Sequence, residues 1–447
     1  MRNIIFFAIV LLFVGCSFKP EMIDVNSSFE YKSQTTNISD KWWEEFNDNK
    51  LNSLVDDALK HNIDLKIAYL NLQKADINLN NAKSLFLPTA SVTGSATRRG
   101  TEHLKTDSFS LNAVLNYEVD LWGRVRNSVE SNKALLNASI YDYNASRLSI
   151  VSNVVDNYFS LVALKMQENI YKNTLKSYID TMNYRKKQLE AGAITKSVYI
   201  QSVTSVQNAS INLNNIKNQI ITLSNALSIL VGRDNNEILY SLVNTNKTLP
   251  KIPEIDVDIS ADILLKRSDV ASAYEALRSS NALVGVAKAA YFPSISLSGI
   301  FGFSSAKIDN LFDKDAQFWS LGTSLTQNIF NLPQTKNRVK LSKIIESESA
   351  LKYEKIIKIA LGEVKTALIN RRNLIEIFNQ TKDLLDSQEK IYELVNSQYD
   401  EGYVDHLSLL DAQRNLLSTK LSLVNANLNL NKAIVQVFKA FGGGFSK

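Results

Sequence analysis

The sequence predicts a mainly α-helical protein with membrane β-strands, built from two copies of one unit. Three observations carry that expectation. Residues 124–191, 193–231 and 403–441 contain neither Gly nor Pro, and 334–401 contains only Gly362, so very long helices are permitted. Two segments, near 90–121 and 294–330, alternate apolar and polar residues with a period of two, as half-covered strands do. Blocks of sequence recur at a nearly constant offset, the mark of a duplication.

Composition narrows the class. With 50 Lys+Arg against 45 Asp+Glu the net charge is +5, too mild for a nucleic-acid partner. Hydrophobic residues at 45% and charged residues at 21% fit neither a disordered chain nor a helical membrane protein. The single Cys excludes a disulfide framework and a Cys-based zinc site. His61, His103 and His406 lie too far apart in sequence for a spaced metal motif. A nucleotide loop, a Gly-x-Ser-x-Gly elbow and a His-Glu-x-x-His helix are all missing, so no catalytic role and no cofactor are expected.

The first residues read as an address. Arg2 is followed by the apolar run Ile4 to Val14, then Gly15 and Cys16. The run is too short to span a bilayer and fits a signal peptide. Its end, Leu-Phe-Val-Gly-Cys, resembles a bacterial lipobox, in which Cys16 becomes the lipidated first residue of the mature protein. The alternative is an ordinary signal peptide with an incidental cysteine; that the only Cys falls at this place favours lipidation. Ser17 after it, rather than Asp, favours the outer membrane in such lipoproteins. No other segment reaches 18 consecutive apolar residues, so any further crossing of a membrane must use strands.

The repeats set the order of elements. Asn62-Ile-Asp-Leu matches Arg267-Ser-Asp-Val, and Asn81-Ala-Lys-Ser-Leu-Phe-Leu-Pro88 matches Val286-Ala-Lys-Ala-Ala-Tyr-Phe-Pro293, both at offset 205. Asp120-Leu-Trp-Gly matches Asn328-Ile-Phe-Asn, Gly192 matches Gly402, and Gly232 matches Gly442. Each copy opens with a helix; in the first, apolar residues at steps of three and four over 50–87 predict one that Pro88 ends. Then Phe109, Leu111, Ala113, Leu115, Tyr117, Val119 and Leu121 occupy successive odd positions, with mostly polar residues between. In the second copy Ile295, Leu297, Phe301 and Phe303 oppose Ser294, Ser296, Ser298 and Ser304. The last strand, expected over Trp319 to Phe330, is broken by Phe318, Thr323 and Gln327. Long helices follow both hairpins. A soluble hairpin on a core and a barrel with lipid outside are both compatible with such strands. Four strands cannot close a barrel with a usable lumen, so a membrane reading requires several chains to share one.

With these segments in view, the chain resembles the bacterial outer membrane factors, the TolC-like exit ducts of tripartite efflux pumps, in the lipoprotein branch that includes OprM, CusC and CmeC. The resemblance rests on Lys41-Trp-Trp-Glu-Glu-Phe-Asn-Asp-Asn-Lys50, Glu118-Val-Asp-Leu-Trp-Gly-Arg124, Arg267-Ser-Asp269, Ala287-Lys-Ala-Ala-Tyr-Phe-Pro293, Leu409-Leu-Asp-Ala-Gln-Arg414 and Lys439-Ala-Phe-Gly-Gly-Gly444. It implies a homotrimer whose twelve-stranded outer-membrane β-barrel continues as a long periplasmic α-helical barrel. It implies a passive, gated exit for drugs or other small toxic solutes. The implied partners are a periplasmic adaptor, an inner-membrane transporter of the RND type, and outer-membrane lipid. The expected order is then a lipoprotein signal peptide at 1–15, an anchor and equatorial segment at 16–49, and a first repeat at 50–240 with its hairpin near 90–122. An equatorial linker at 241–261 and a second repeat at 262–447, with its hairpin near 294–330, complete it. The segment about 233–262 and the C-terminus would share the equatorial belt.

The same resemblance assigns site residues. Gly192 and Gly402 would form the periplasmic tips that receive the adaptor, and Leu407, Asp411 and Arg414 match the gate motif. Leu407 and Asp411 are four apart and share a helix face. Threefold symmetry would draw three carboxylates together, repelling one another and attracting cations, beside an apolar ring. The bland alternative for Asp411 and Arg414 is an i,i+3 ion pair on a solvated face. The first copy carries Ser197, Gln201 and Thr204 at the matching sites. Two other functions remain open: an exit channel for type I protein secretion, and a periplasmic coiled-coil lipoprotein tether without a pore. Asp24-Val-Asn-Ser-Ser28 also fits an extended bacterial N-glycosylation acceptor at Asn26.

Overall fold

The computed structural model describes residues 20–23, 37–39, 41–234, 248–251, 253 and 266–446. Cys16, Asn26, the signal peptide and most of the segment about 233–262 lie outside the described residues. The chain forms two compact units, each drawing on both halves of the sequence.

The first unit gathers Met1–Ser28, Leu70–Asp142 and Asp269–Ile356. It holds one antiparallel sheet of four strands: β2 (Thr89–Gly100), β3 (Lys105–Val119), β4 (Ser294–Ser305) and β5 (Gln317–Thr326), in that order. The register places most apolar positions of the four strands on one face. Val92, Ala113, Phe301 and Trp319 form one cross-strand row, and Ala90, Leu115, Gly299 and Leu321 form the next. The other face carries Ser95, Ser110 and Ser304 in one row and Ser91 and Ser320 in another, flanking Val114 and Ile300. Because side chains alternate with period two, this single register fixes which face each residue takes. Phe318 breaks the pattern by standing on the polar face opposite Gly302, and Thr323 pairs with Leu297 on the apolar one. Gln327 lies past the end of β5, so this strand is shorter than the alternation to Phe330 suggests. The apolar face is uncovered: Trp319 is 72% exposed and Leu321 79%.

The Glu118–Arg124 segment explains how a strand becomes a helix. Arg124 donates two hydrogen bonds of 2.8 Å to Glu118. Asp120 accepts from the backbone N–H groups of Val125 and Arg126 at 2.9 Å, capping α3 (Arg124–Glu190). Trp122 stacks on Phe292 and donates to the carbonyl of Pro293, which leads into β4. Gly123, at φ 76°, makes the turn between them.

The second unit gathers Phe29–Tyr69, Tyr143–Ser268 and Ile357–Lys447. Its aromatic core sets Trp42 in a stack on Phe438 at 5.1 Å, with Phe46 edge-on to Phe159 at 4.9 Å. These join a short 3-10 turn (Trp42–Phe46) to α7 (His406–Ala440) and α3. The amphipathic helix α1 (Asn49–His61) buries Leu51, Leu54, Val55 and Ala58. Asp48 caps it and also accepts the Tyr158 hydroxyl at 2.6 Å. The helix expected over 50–87 is in fact two, because Asn62 leaves the helical conformation and starts α2 (Ile63–Ser84). Its side chain accepts from Leu65 N–H and donates to Leu230 O, the last turn of α4 (Lys196–Val231). Local capping thus outweighs uninterrupted periodicity at this point.

Arg267 serves a comparable purpose at the chain's end. It donates to Ala440 O at 2.6 Å and pairs with Glu363 of α6 (Leu332–Asp400) at 2.7 Å. It stands just before α5 (Ser268–Ala289). Past α7, β6 (Gly444–Ser446) pairs antiparallel with β1 (Asn37–Ser39).

Candidate functional site

Both long helix pairs turn by the same hydrogen-bonded device. In the first, Ala191 N–H donates to Lys187 O, Gly192 to Leu189 O and Ala193 to Gln188 O. In the second, Glu401 donates to Ser397 O, Gly402 to Tyr399 O and Tyr403 to Gln398 O, residue for residue at offset 210. Gly192 and Gly402 take φ of 74° and 80°, with open space where a Cβ would stand. The left-handed backbone, rather than crowding, is what calls for glycine.

The helix after the second turn carries the residues expected to form the gate. Asp405 caps α7 by accepting from Ser408 N–H at 2.8 Å. Leu407, Asp411 and Arg414 follow at steps of four and three, on one stripe of the helix. The stripe is open: Leu407 is 53% exposed, and the side chains of Asp411 and Arg414 are exposed as well. Arg414 Nη1 stands 3.8 Å from Asp411 Oδ1, a long separation that contributes little on a solvated surface. The carboxylate therefore keeps most of its capacity for other partners.

Of the three second-repeat residues, the structure brings Arg414 to the matching positions of the first repeat. Ser197, Gln201 and Thr204 of α4 line a cleft of about 490 Å³ with Lys196, Ile200 and Arg414. Arg414 also bears on Tyr178. Burial raises the Tyr178 hydroxyl above its ordinary value, while the guanidinium charge pulls it down. A second groove, of about 300 Å³, runs between Tyr178, Tyr392, Gln413 and Leu417.

The sequence gives no sign of the polar cluster beside this stripe. Arg185, near the end of α3, is almost fully buried and bonds His406, the first residue of α7. Arginine on a solvated helix face and arginine sealed inside a helix pair look alike in sequence, so no signal could have found it. Among the described residues no cluster suited to a metal ion occurs, and no helix is long and apolar enough to cross a membrane.

Comparison with known proteins adds the family. The profile of the outer membrane efflux proteins matches residues 54–233 and 259–443, most of the chain. The chain belongs to the outer membrane efflux protein family. It is similar to the crystal structure of the Campylobacter jejuni CmeC outer membrane channel, with TM-score 0.89 and 31% identity. That match covers 96% of this chain and 95% of the other. The probable efflux pump outer membrane protein TtgC of Pseudomonas putida is 28% identical over 413 residues, 90% of this chain and 85% of that one. The cation efflux system protein CusC of Escherichia coli K12 is 27% identical over 453 residues, covering 98% of both. The resemblance read from the sequence, and the mainly helical fold with strands, are borne out.

Proposed function

We propose that this chain is the outer-membrane exit duct of a tripartite efflux pump, passing drugs or other small toxic solutes from periplasm to exterior. One observation carries the reading. The four-stranded sheet has an uncovered, largely apolar face and two long edge strands, β2 and β5, each paired on one side only among the described residues. In lipid an unpaired edge costs several kcal/mol per polar group, so such a sheet must be closed. In water the same edges would invite aggregation. Three copies placing β5 against β2 give a closed barrel of twelve strands, apolar outside and lined inside by Ser, Thr and Asn.

The rest of the reading is what the family resemblance implies. The hairpin loops between Arg98 and Asp107 and between Ser305 and Gln317 face the exterior, and the long helices continue the duct into the periplasm. Acyl chains on Cys16 add a second hold on the outer membrane. The turns at Gly192 and Gly402 meet the adaptor's hairpins, and Leu407, Asp411 and Arg414 ring the closed tip. The repeats at 50–240 and 262–447, with the segments at 16–49 and 241–261, supply barrel and belt. Energy and solute choice come from the inner-membrane partner. The relatives' names, an efflux pump outer membrane protein and a cation efflux system protein, support a place in a pump.

The decisive experiment is purification from outer membranes, heat-dependent gel migration and reconstitution into planar bilayers. A trimer that conducts ions supports the duct. A lone, non-conducting molecule released without detergent overturns it.

A further inference from the structure

The end of α3, the end of α6 and the start of α7 meet in one buried cluster with unusual chemistry. Arg185 is only 2% exposed, and among the described residues no ion pair holds its guanidinium. Its partners are neutral. Nη1 donates to Gln188 Oε1 at 2.6 Å, and Nη2 donates to His406 Nδ1 at 3.2 Å. The guanidinium also lies over the Tyr399 ring at 4.8 Å, and that ring packs on His406 at 6.0 Å between centroids.

Arginine can only donate, so Nδ1 of His406 must accept, and the imidazole must be neutral with its proton on Nε2. Adding a second proton removes that acceptor. The bond then becomes two cations facing one another where water is largely excluded. The positive end of the α7 dipole acts in the same direction.

The groups facing the imidazole are Arg185 from α3, Tyr399 from α6, and Asp405 from its own turn, while Tyr184 lies against the Arg185 guanidinium. Asp405 attracts the charged form, yet it is exposed and its carboxylate already accepts from Ser408 N–H and Oγ at 2.8 and 2.7 Å. The first repeat has no counterpart: Lys196 and Val395 stand at the positions matching His406 and Arg185. Only the helix bearing Leu407 and Asp411 is held in this way.

We propose that Arg185 and His406 form an acid-released clasp, which pins the start of α7 to the end of α3 at neutral pH and lets go on mild acidification. Burial and the neighbouring guanidinium hold the His406 imidazole below its ordinary value of 6.5, with Asp405 opposing. A depressed histidine contributes stability above that ordinary value and loses it as pH falls through the lowered one. The clasp is therefore closed at neutral pH and opens in acid below the ordinary histidine value. Because Leu407 follows His406 directly, release frees the first turn of the gate helix.

The inference rests on the duct reading for its consequence but not for its chemistry, so the test has two arms. Hydrogen exchange of peptides spanning 403–411, corrected for intrinsic rates, is compared between about pH 7.5 and about pH 4.5, reaching well below the ordinary histidine value. The same comparison is made for single-channel conductance. His406→Gln supplies a carbonyl acceptor at every pH and should abolish the response. Asp156→Asn is the control, since that carboxyl, raised to about 6 by burial, titrates in the same window. Severalfold faster exchange at the acid pH in wild type and in Asp156→Asn, but not in His406→Gln, supports the clasp. Exchange that ignores pH, or that still responds in His406→Gln, overturns it. A channel silent at all pH values would sink the duct reading, while exchange still decides the clasp.

Discussion

Gly285 of α5 sits directly against Asn127 of α3: a Cβ built at 285 would lie 2.6 Å from the Asn127 side-chain carbon. Asn127 cannot easily yield, because its amide donates to Gly123 O at 2.7 Å from a buried position. The two helices thus approach as closely as glycine allows, next to the turn that launches α3. Gly285→Ala should cost about 1–3 kcal/mol, the usual range for overpacking a well-filled contact. Thermal unfolding in detergent reads it, and pairing it with Asn127→Ala should recover part of the loss.

The aromatic cluster of the second unit should be a larger reservoir of stability. Trp42 is 1% exposed and stacks on Phe438, with Trp43 and Phe46 edge-on at 6.2 and 6.5 Å. Trp42→Ala should cost about 3–5 kcal/mol, as large-to-small aromatic deletions do. Phe substitution should recover much of it. An unfolding temperature unchanged by the Ala variant would show that the segment before α1 does not contribute to the core.

How much was legible follows the range of the physics involved. The strands were readable because a period of two needs no tertiary partner: Leu111, Ala113 and Leu115 declare one face by spacing alone. The long helices were readable from the lack of Gly and Pro, and α3 ends at Glu190, where the Gly192 turn begins. The break at Asn62 was hidden because it depends on Leu230, 168 residues away. The early end of β5 was hidden because register with β4, not composition, sets it. For the proposed gate, Leu407, Asp411 and Arg414 came from resemblance to the family motif, and spacing added only that they share a helix face. The contacts of Arg185 could come from neither, since burial of a guanidinium is a tertiary property.

Asp156 gives a prediction in pH. Burial raises its carboxyl to about 6, with Lys432, Lys439 and a 3.4 Å bond from Gln436 pulling the other way. A raised carboxyl contributes stability that is complete below the ordinary value of 3.8 and lost as pH rises through about 6. Asp156→Asn should therefore stabilise the protein at neutral pH by about 1–2 kcal/mol, a discounted reading of a shift of about two pK units. Near pH 4 the gain should vanish. Melting curves across that range check it, and a benefit independent of pH would point to a cause other than ionisation.

The proposed gate makes the last prediction. Asp411 is exposed, its contact with Arg414 is 3.8 Å, and it shares a stripe with Leu407. If three such stripes converge, the closed tip carries a ring of carboxylates that holds cations beside a ring of leucines. Asp411→Ala removes the charge that cations use and the crowding at the axis. Conductance should then rise and preference for cations should fall. Asp411→Asn keeps the size and separates the two effects: selectivity should fall while conductance changes less. Leu407→Ala should widen the opening without altering selectivity. The i,i+3 pairing on a solvated face makes the opposite forecast, since losing a contact worth less than about 0.5 kcal/mol leaves every channel property as it was. Single-channel recordings of the three variants in planar bilayers therefore decide between a ring and an isolated surface pair.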